Sequence, residues 1–175
     1  MLIRVLLLLV LGLAAWPASA QLEGLEDTPP AYRTALRNAI RAFSARDFKT
    51  TAAMVDEADK MLPATPTTIN IRAAVAIEEK RYAEGRELCL KALNMNPRFF
   101  PARFNLAEIP FMQGKYAEAR LGYEKLVNED PKEELLKFRI FLTYLLEKNE
   151  AKAKEELDSI PLLNDTPIYF FAQSA

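Results

Sequence analysis

The chain of 175 residues contains no histidine and a single cysteine, Cys89. Without histidine it lacks the commonest general base and the commonest zinc ligand. A cysteine with no histidine partner cannot form the usual thiol nucleophile pair. The five glycines of the chain form no phosphate-binding loop. The sequence therefore predicts a protein that is not an enzyme and that holds no cofactor and no metal.

The chain also has no excess of charge of one sign. It carries 23 Lys and Arg residues against 24 Asp and Glu residues, and these are interspersed without a basic block. Binding to nucleic acid or to an anionic membrane surface needs a clustered basic patch. We therefore expect no nucleic-acid partner.

A long apolar run occurs only at the start of the chain. Arg4 is followed by the apolar run 5–15 and by Ala18–Ser19–Ala20, an A-x-A cleavage site. This order is typical of a secretory signal peptide over residues 1–20, and the run is too short for a spanning helix. The alternative interpretation is an uncleaved membrane anchor.

Beyond the signal peptide no segment is apolar enough to span a bilayer. We expect residues 21–27 to be a flexible lead-in and residues 28–175 to form one helical repeat domain. Secretion across the inner membrane would place this domain in the periplasm, with no integral membrane segment after signal cleavage.

Proline, aromatic and small residues recur through the chain at a spacing of about 34 residues, the period of a helix–turn–helix solenoid. The recurring prolines are Pro63, Pro97 and Pro131, and the recurring aromatics are Phe48, Tyr82 and Tyr116. The small-residue sets are Ala39, Ala73 and Ala107, and Thr51, Gly85, Ala119 and Ala153. No segment alternates with a period of two residues, so we expect no sheet.

Capping residues and prolines predict where the helices begin. Thr28 is expected to cap the first helix and Asp47 the second. Thr65 opens the third helix, and Asp130–Pro131 opens the first helix of the fourth unit. Thr166–Pro167 has the same form, so it predicts a terminal helix after the fourth pair.

Pro110 conflicts with its surroundings, because it lies in an otherwise helical run. A proline inside a helix removes a backbone donor and crowds the preceding turn, at about 3 kcal/mol or more. We expect a packed kink that alters the superhelical curve. The alternative is that the kink widens an inner groove beside Phe111 and Met112.

The segment 101–131, PARFNLAEIPFMQGKYAEARLGYEKLVNEDP, resembles the tetratricopeptide repeat family. The residues that match the family pattern are Leu106–Ala107, Tyr116, Ala119, Tyr123 and Pro131. The segment departs from the pattern at Arg103 and Pro110, and the preceding copy has Arg72 in the place of the leucine. The resemblance implies an all-α fold, a right-handed α-solenoid of about four helix–turn–helix units plus one terminal helix.

In that family the concave surface comes mainly from the first helix of each pair, so the resemblance also implies a binding groove. The residues expected to line it are Arg37, Asn70, Phe104, Asn105, Phe111, Met112, Phe138 and Arg139. Such a lining suits an extended or helical peptide, with apolar anchors and capture of a carboxylate by arginine. Asn105 and Arg139 are similar to part of the carboxylate clamp of some repeats, whose lysines are missing here. The alternative is that these residues only solvate a helix face.

These expectations together predict an exported, non-catalytic scaffold that binds a protein or peptide partner in its concave groove. The alternative is a structural subunit, or a truncated fragment, of a larger envelope-assembly or secretion complex. The apolar residues 168–171 near the end of the chain would give the last helix an exposed edge. Such an edge favours self-association.

Overall fold

The computed structural model describes residues 25–129 and 134–160. The predicted signal peptide, most of the lead-in, the cap at Asp130–Pro131 and the apolar edge at 168–171 lie outside these residues. The terminal helix expected after Thr166 also lies outside them.

Eight α-helices account for 79% of the described residues, and these residues contain no strand, which confirms the all-α prediction. The helices are α1 (Pro30–Ser44), α2 (Phe48–Met61), α3 (Pro66–Glu78), α4 (Tyr82–Met95), α5 (Phe100–Met112), α6 (Tyr116–Val127), α7 (Glu134–Leu146) and α8 (Glu150–Ser159). They form four pairs, α1–α2, α3–α4, α5–α6 and α7–α8. None of these helices is long and apolar enough to cross a membrane.

The same turn joins the two helices of every pair. One residue in each turn has a left-handed backbone, and these residues are Arg46 (φ 58°), Lys80 (φ 62°), Gly114 (φ 76°) and Lys148 (φ 61°). The next N–H reaches back to the last turn of the first helix, as where Arg81 N donates to Ala76 O at 2.8 Å. This is the hydrogen-bond pattern of a Schellman motif, which ends a helix by backbone geometry. The four positions keep the repeat spacing of the sequence.

Side chains cap three helices, and two of these caps, at Asp47 and Thr65, are the ones that the sequence predicts. Asp47 accepts from the backbone N–H three residues later at 2.9 Å, and Asn149 does so at 3.2 Å. Thr65 and Thr68 form a reciprocal capping box at the start of α3. Each cap satisfies a donor that the helix cannot pair internally.

The prediction that Thr28 caps α1 is wrong. Helix α1 begins at Pro30, Pro29 occupies the capping position, and no side chain caps the helix. The Thr28 hydroxyl lies one residue too far upstream and donates instead to Leu25 O at 2.6 Å. It therefore closes the turn that precedes α1.

The described chain divides within α5 into two compact units, 25–106 and 107–160. In the first unit, α1 packs against α2 and α3 against α4, while α3 also contacts α1 and α2. The residues of its buried cluster are Tyr32, Ala35, Leu36, Ala39, Ile40, Val55, Ala58 and Ile71. Because Ile71 comes from α3, this cluster joins the first two pairs.

Arg72, which replaces the leucine of the repeat pattern, forms an ionic link within the first unit. Its guanidinium lies 2.6 Å from Asp56 Oδ1 and 2.9 Å from Asp59 Oδ2, both on α2. An ion pair thus joins α3 to α2 at a position where the pattern has an apolar residue.

The second unit shows how closely its helices approach at the small residues. A Cβ placed on Gly122 of α6 would lie 2.8 Å from the Cβ of Ala107 on α5, closer than real Cβ atoms come. Ala119 and Ala153 are also buried. In the same unit α7 packs against both α6 and α8.

Helix α5 continues through Pro110 to Met112. The proline lies in the last turn, and its carbonyl accepts the N–H of Lys115 at 2.9 Å. The proline has no N–H to donate to the carbonyl of Leu106, in the preceding turn. The widening of a groove beside it stays a prediction.

Candidate functional site

The residues expected to line the groove differ in exposure. Arg37 is exposed and Met112 is half-buried. The other six are buried, and these are Asn70, Phe104, Asn105, Phe111, Phe138 and Arg139. The alternative of a solvated helix face therefore does not describe the buried six, so their contacts decide what they do.

Asn70 and Asn105 contact each other across two first helices. The Nδ2 of Asn105 on α5 donates to the Oδ1 of Asn70 on α3 at 2.8 Å, with the residues 6% and 3% exposed. A buried amide must be hydrogen-bonded to avoid a large desolvation cost. The hydrogen bond between the two amides therefore satisfies part of this hydrogen-bonding requirement. It also joins the helix pair α3–α4 to α5.

Arg139 belongs to a buried polar cluster with Glu108 and Tyr123. Its Nε lies 2.9 Å from Glu108 Oε1, and the two side chains are 1% and 3% exposed. The Tyr123 hydroxyl donates to the same carboxylate oxygen at 2.5 Å. The guanidinium also lies 5.3 Å from the centre of the Phe111 ring, a cation–π distance. The cluster joins α5, α6 and α7.

The electrostatics of Tyr123 reflect this environment. Burial raises the pKa of Tyr123 well above its usual value, and the negative charge of Glu108 raises it further. The nearby Arg139 guanidinium acts in the opposite direction. Tyr123 therefore stays protonated and keeps donating to Glu108.

This arrangement gives the guanidinium of Arg139 a carboxylate partner inside the chain. A ligand carboxylate would reach Arg139 only by exchanging with Glu108 and by opening a buried site. Sequence reasoning missed Glu108, although a signal exists. The equivalent positions in the neighbouring pairs are Ala74 and Leu142, which are both apolar. A carboxylate at a position that is otherwise apolar predicts a buried cation that pairs with it.

The predicted aromatic anchors pack against other rings. Phe111 lies edge-on to Tyr116 and Tyr123, with ring centres 5.6 and 6.4 Å apart. Phe138 stacks on Phe141 at 5.8 Å, and Phe104 stacks on Phe100 at 6.4 Å. These contacts give Phe104, Phe111 and Phe138 packing roles within their own units.

The reactive groups of the chain are few. Cys89 is buried, and burial raises the pKa of its thiol to about 12. A thiol becomes a nucleophile only as the thiolate, so Cys89 is inert near neutral pH. Among the described residues no group of acidic or cysteine side chains could hold a metal ion.

Comparison with known proteins agrees with the repeat geometry. A family model described as tetratricopeptide repeat matches residues 76–139, which extend from the end of α3 into α7. The chain is similar to small glutamine-rich tetratricopeptide repeat-containing protein 2 of Mycosarcoma maydis, with 29% identity over 119 residues. That match covers 68% of this chain and 31% of the relative, so the chain spans about a third of the relative's length.

Proposed function

We propose that the chain, which is similar to tetratricopeptide repeat proteins, is a non-catalytic scaffold that binds a protein or peptide partner. The observation that carries this proposal is the repetition of one helix pair with one turn geometry. The left-handed turn residues recur in all four pairs at the same spacing. Repeats of this kind present a continuous surface built from many side chains.

We further propose that the partner lies against the surface of the first helices. Two buried residues support this proposal, since Asn105 joins α5 to the pair before it and Arg139 joins α7 to the pair before it. Met112 is the candidate for direct contact, because it is half-buried at the end of α5. Methionine suits such a surface, since its flexible thioether adapts to partners of different shape.

Export to the periplasm is part of the proposal and rests on the composition of residues 1–20. A fusion of the whole chain to alkaline phosphatase, which folds only where disulfides form, tests it. Activity in intact cells, lost when residues 1–20 are removed, would support export. Equal activity of the two fusions would count against it.

Chemical crosslinking in the native envelope, followed by purification of the tagged chain, identifies the partner. The purified partner is then titrated calorimetrically against the wild-type chain and against Met112→Glu. The matched control is Leu121→Glu, because Leu121 is exposed on the second helix α6. Loss of binding only in Met112→Glu supports the surface of the first helices. Loss only in Leu121→Glu would move the site to the second helices.

The second proposal is a structural subunit, or a piece, of a larger envelope-assembly or secretion complex. It rests on the curated relative being about three times as long as the matched region. Gel filtration of native extracts separates the two proposals. A subunit elutes only with a defined complex, whereas a scaffold with a free surface also elutes as the isolated chain.

A further inference from the structure

One set of equivalent positions on the first helices contacts the preceding helix pair wherever such a pair exists. The positions are Arg37, Ile71, Asn105 and Arg139 in successive first helices. Ile71 joins the buried cluster of the first pair, Asn105 donates to Asn70, and Arg139 pairs with Glu108. The face that contains these positions is therefore the junction face of each first helix.

Two neighbouring sets of positions share this face. Their members in the last three pairs are Thr68, Ala102 and Leu136, and Val75, Ile109 and Thr143, all buried. The equivalent residues of α1 are Thr34 and Arg41, and both are exposed, as is Arg37. The junction face of α1 thus remains uncovered among the described residues.

The charge of this uncovered face has one sign. Helix α1 contains three arginines and no acidic residue. Arg33 donates to the backbone carbonyls of Leu25, Glu26 and Thr28, so it holds the segment before the helix. Arg37 donates only to Thr34 of its own helix, at 3.2 Å, and Arg41 has no acidic partner in the described chain. Two guanidiniums one helical turn apart are therefore available.

We propose that the junction face of α1, formed by Thr34, Arg37 and Arg41, docks an acidic helical segment of another protein. The segment lies where a preceding repeat would lie. Its carboxylates, spaced one turn apart, pair with Arg37 and Arg41. The proposed function assigns direct contact to Met112 at the end of α5, whereas this face lies on α1, so different variants test the two proposals and either can fail without the other.

The chain itself contains a model for this contact. At the equivalent position in the fourth pair, Arg139 reaches a glutamate on the preceding first helix at 2.9 Å. Arginine is the residue of choice for carboxylates at interfaces, since its planar group binds both oxygens. A symmetric contact between the α1 helices of two copies would instead oppose like charges, which disfavours it.

The test uses the whole chain and a stapled, fluorescein-labelled helical peptide that carries two glutamates four residues apart. Fluorescence anisotropy gives its affinity for the wild type and for Arg37→Ala/Arg41→Ala. The control variant is Lys49→Ala/Lys91→Ala, which removes the same charge from exposed positions on α2 and α4. The control peptide has glutamine in place of both glutamates.

The proposal expects the acidic peptide to bind the wild type and the lysine control alike. The arginine variant should bind about tenfold more weakly, as expected for two exposed ion pairs, and added salt should weaken wild-type binding. Equal binding of the two peptides, or an equal loss in both variants, would show that the face only solvates the end of the array. Concentration-dependent self-association that disappears in Arg37→Ala/Arg41→Ala would overturn the proposal in favour of a second copy.

Discussion

Replacement of Arg139 by methionine tests the buried cluster most directly. The change keeps most of the apolar stem and removes the cation that faces Glu108, whose side chain is 3% exposed. Breaking a buried ion pair by removing one partner costs about 3–5 kcal/mol, because the other charge stays in a poorly solvating site. The free energy of unfolding of a domain is about 5–15 kcal/mol, so we expect this change to remove a large fraction of the stability.

The reciprocal change and the double variant separate the ion pair from packing. Glu108→Gln removes the negative charge and keeps an oxygen that can accept from the Tyr123 hydroxyl. Because it leaves Arg139 buried without its counter-charge, its cost should be of similar size. Arg139→Met/Glu108→Gln removes both charges, so it should be more stable than the sum of the single changes predicts, by about 2–3 kcal/mol.

Urea unfolding followed by circular dichroism measures all four proteins. Arg81→Met serves as the control, since Arg81 forms ion pairs with Glu79 and Glu84 at an exposed site. Exposed ion pairs contribute at most about 1 kcal/mol, so this variant should unfold close to the wild type. If Arg139→Met also unfolds close to the wild type, the guanidinium is not held by Glu108. Capture of a ligand carboxylate by Arg139, as expected from the sequence, would then be favoured.

Three further changes test other parts of the structure. Gly122→Ala should lower the free energy of unfolding by about 1–2 kcal/mol despite its better helix propensity, because its Cβ would collide with Ala107, and Ala107→Gly should relieve the loss. Gly114→Ala should cost about 1 kcal/mol in urea unfolding through the backbone alone, since its φ is 76° and its Cβ would meet no atom within 4 Å. Cys89 should resist iodoacetamide at pH 8 until urea unfolds the chain, and rapid labelling of the native protein would contradict its burial. The pKa of the Cys89 thiol is about 12 in the folded chain and about 8.5 in the unfolded chain. The stability that comes from the buried neutral thiol is therefore fully present below about pH 8.5 and declines as the pH rises towards 12.

The sequence could predict the helix pairs and most helix starts, because both depend on local chemistry. The caps at Asp47 and Thr65 involve residues three positions away, and such spacings are visible in the printed order. The left-handed conformations of Arg46, Lys80 and Lys148 were not predicted, because these residues are not glycine. Their alignment with Gly114 was the available signal, since glycine favours a positive φ.

The sequence predicts the contacts of the expected groove residues less well than it predicts the helices. The repeat spacing shows which residues share a face of the first helices, but not whether another helix covers that face. Asn105 is polar and was expected to meet a ligand, yet its partner is Asn70, 35 residues away. A buried polar residue and an exposed one look alike in sequence until the partner is known.

Arg37 and Arg139 show why position in the array decides the role of a residue. The two arginines occupy equivalent places in the first and the fourth pair, yet one is exposed and the other is buried. A preceding pair supplies Glu108 to Arg139, whereas α1 is the first helix of the described chain. The same substitution by methionine should therefore lower the stability at Arg139 and leave it nearly unchanged at Arg37. If Arg37→Met weakens binding of the acidic peptide without changing the stability, the effect reports docking rather than folding.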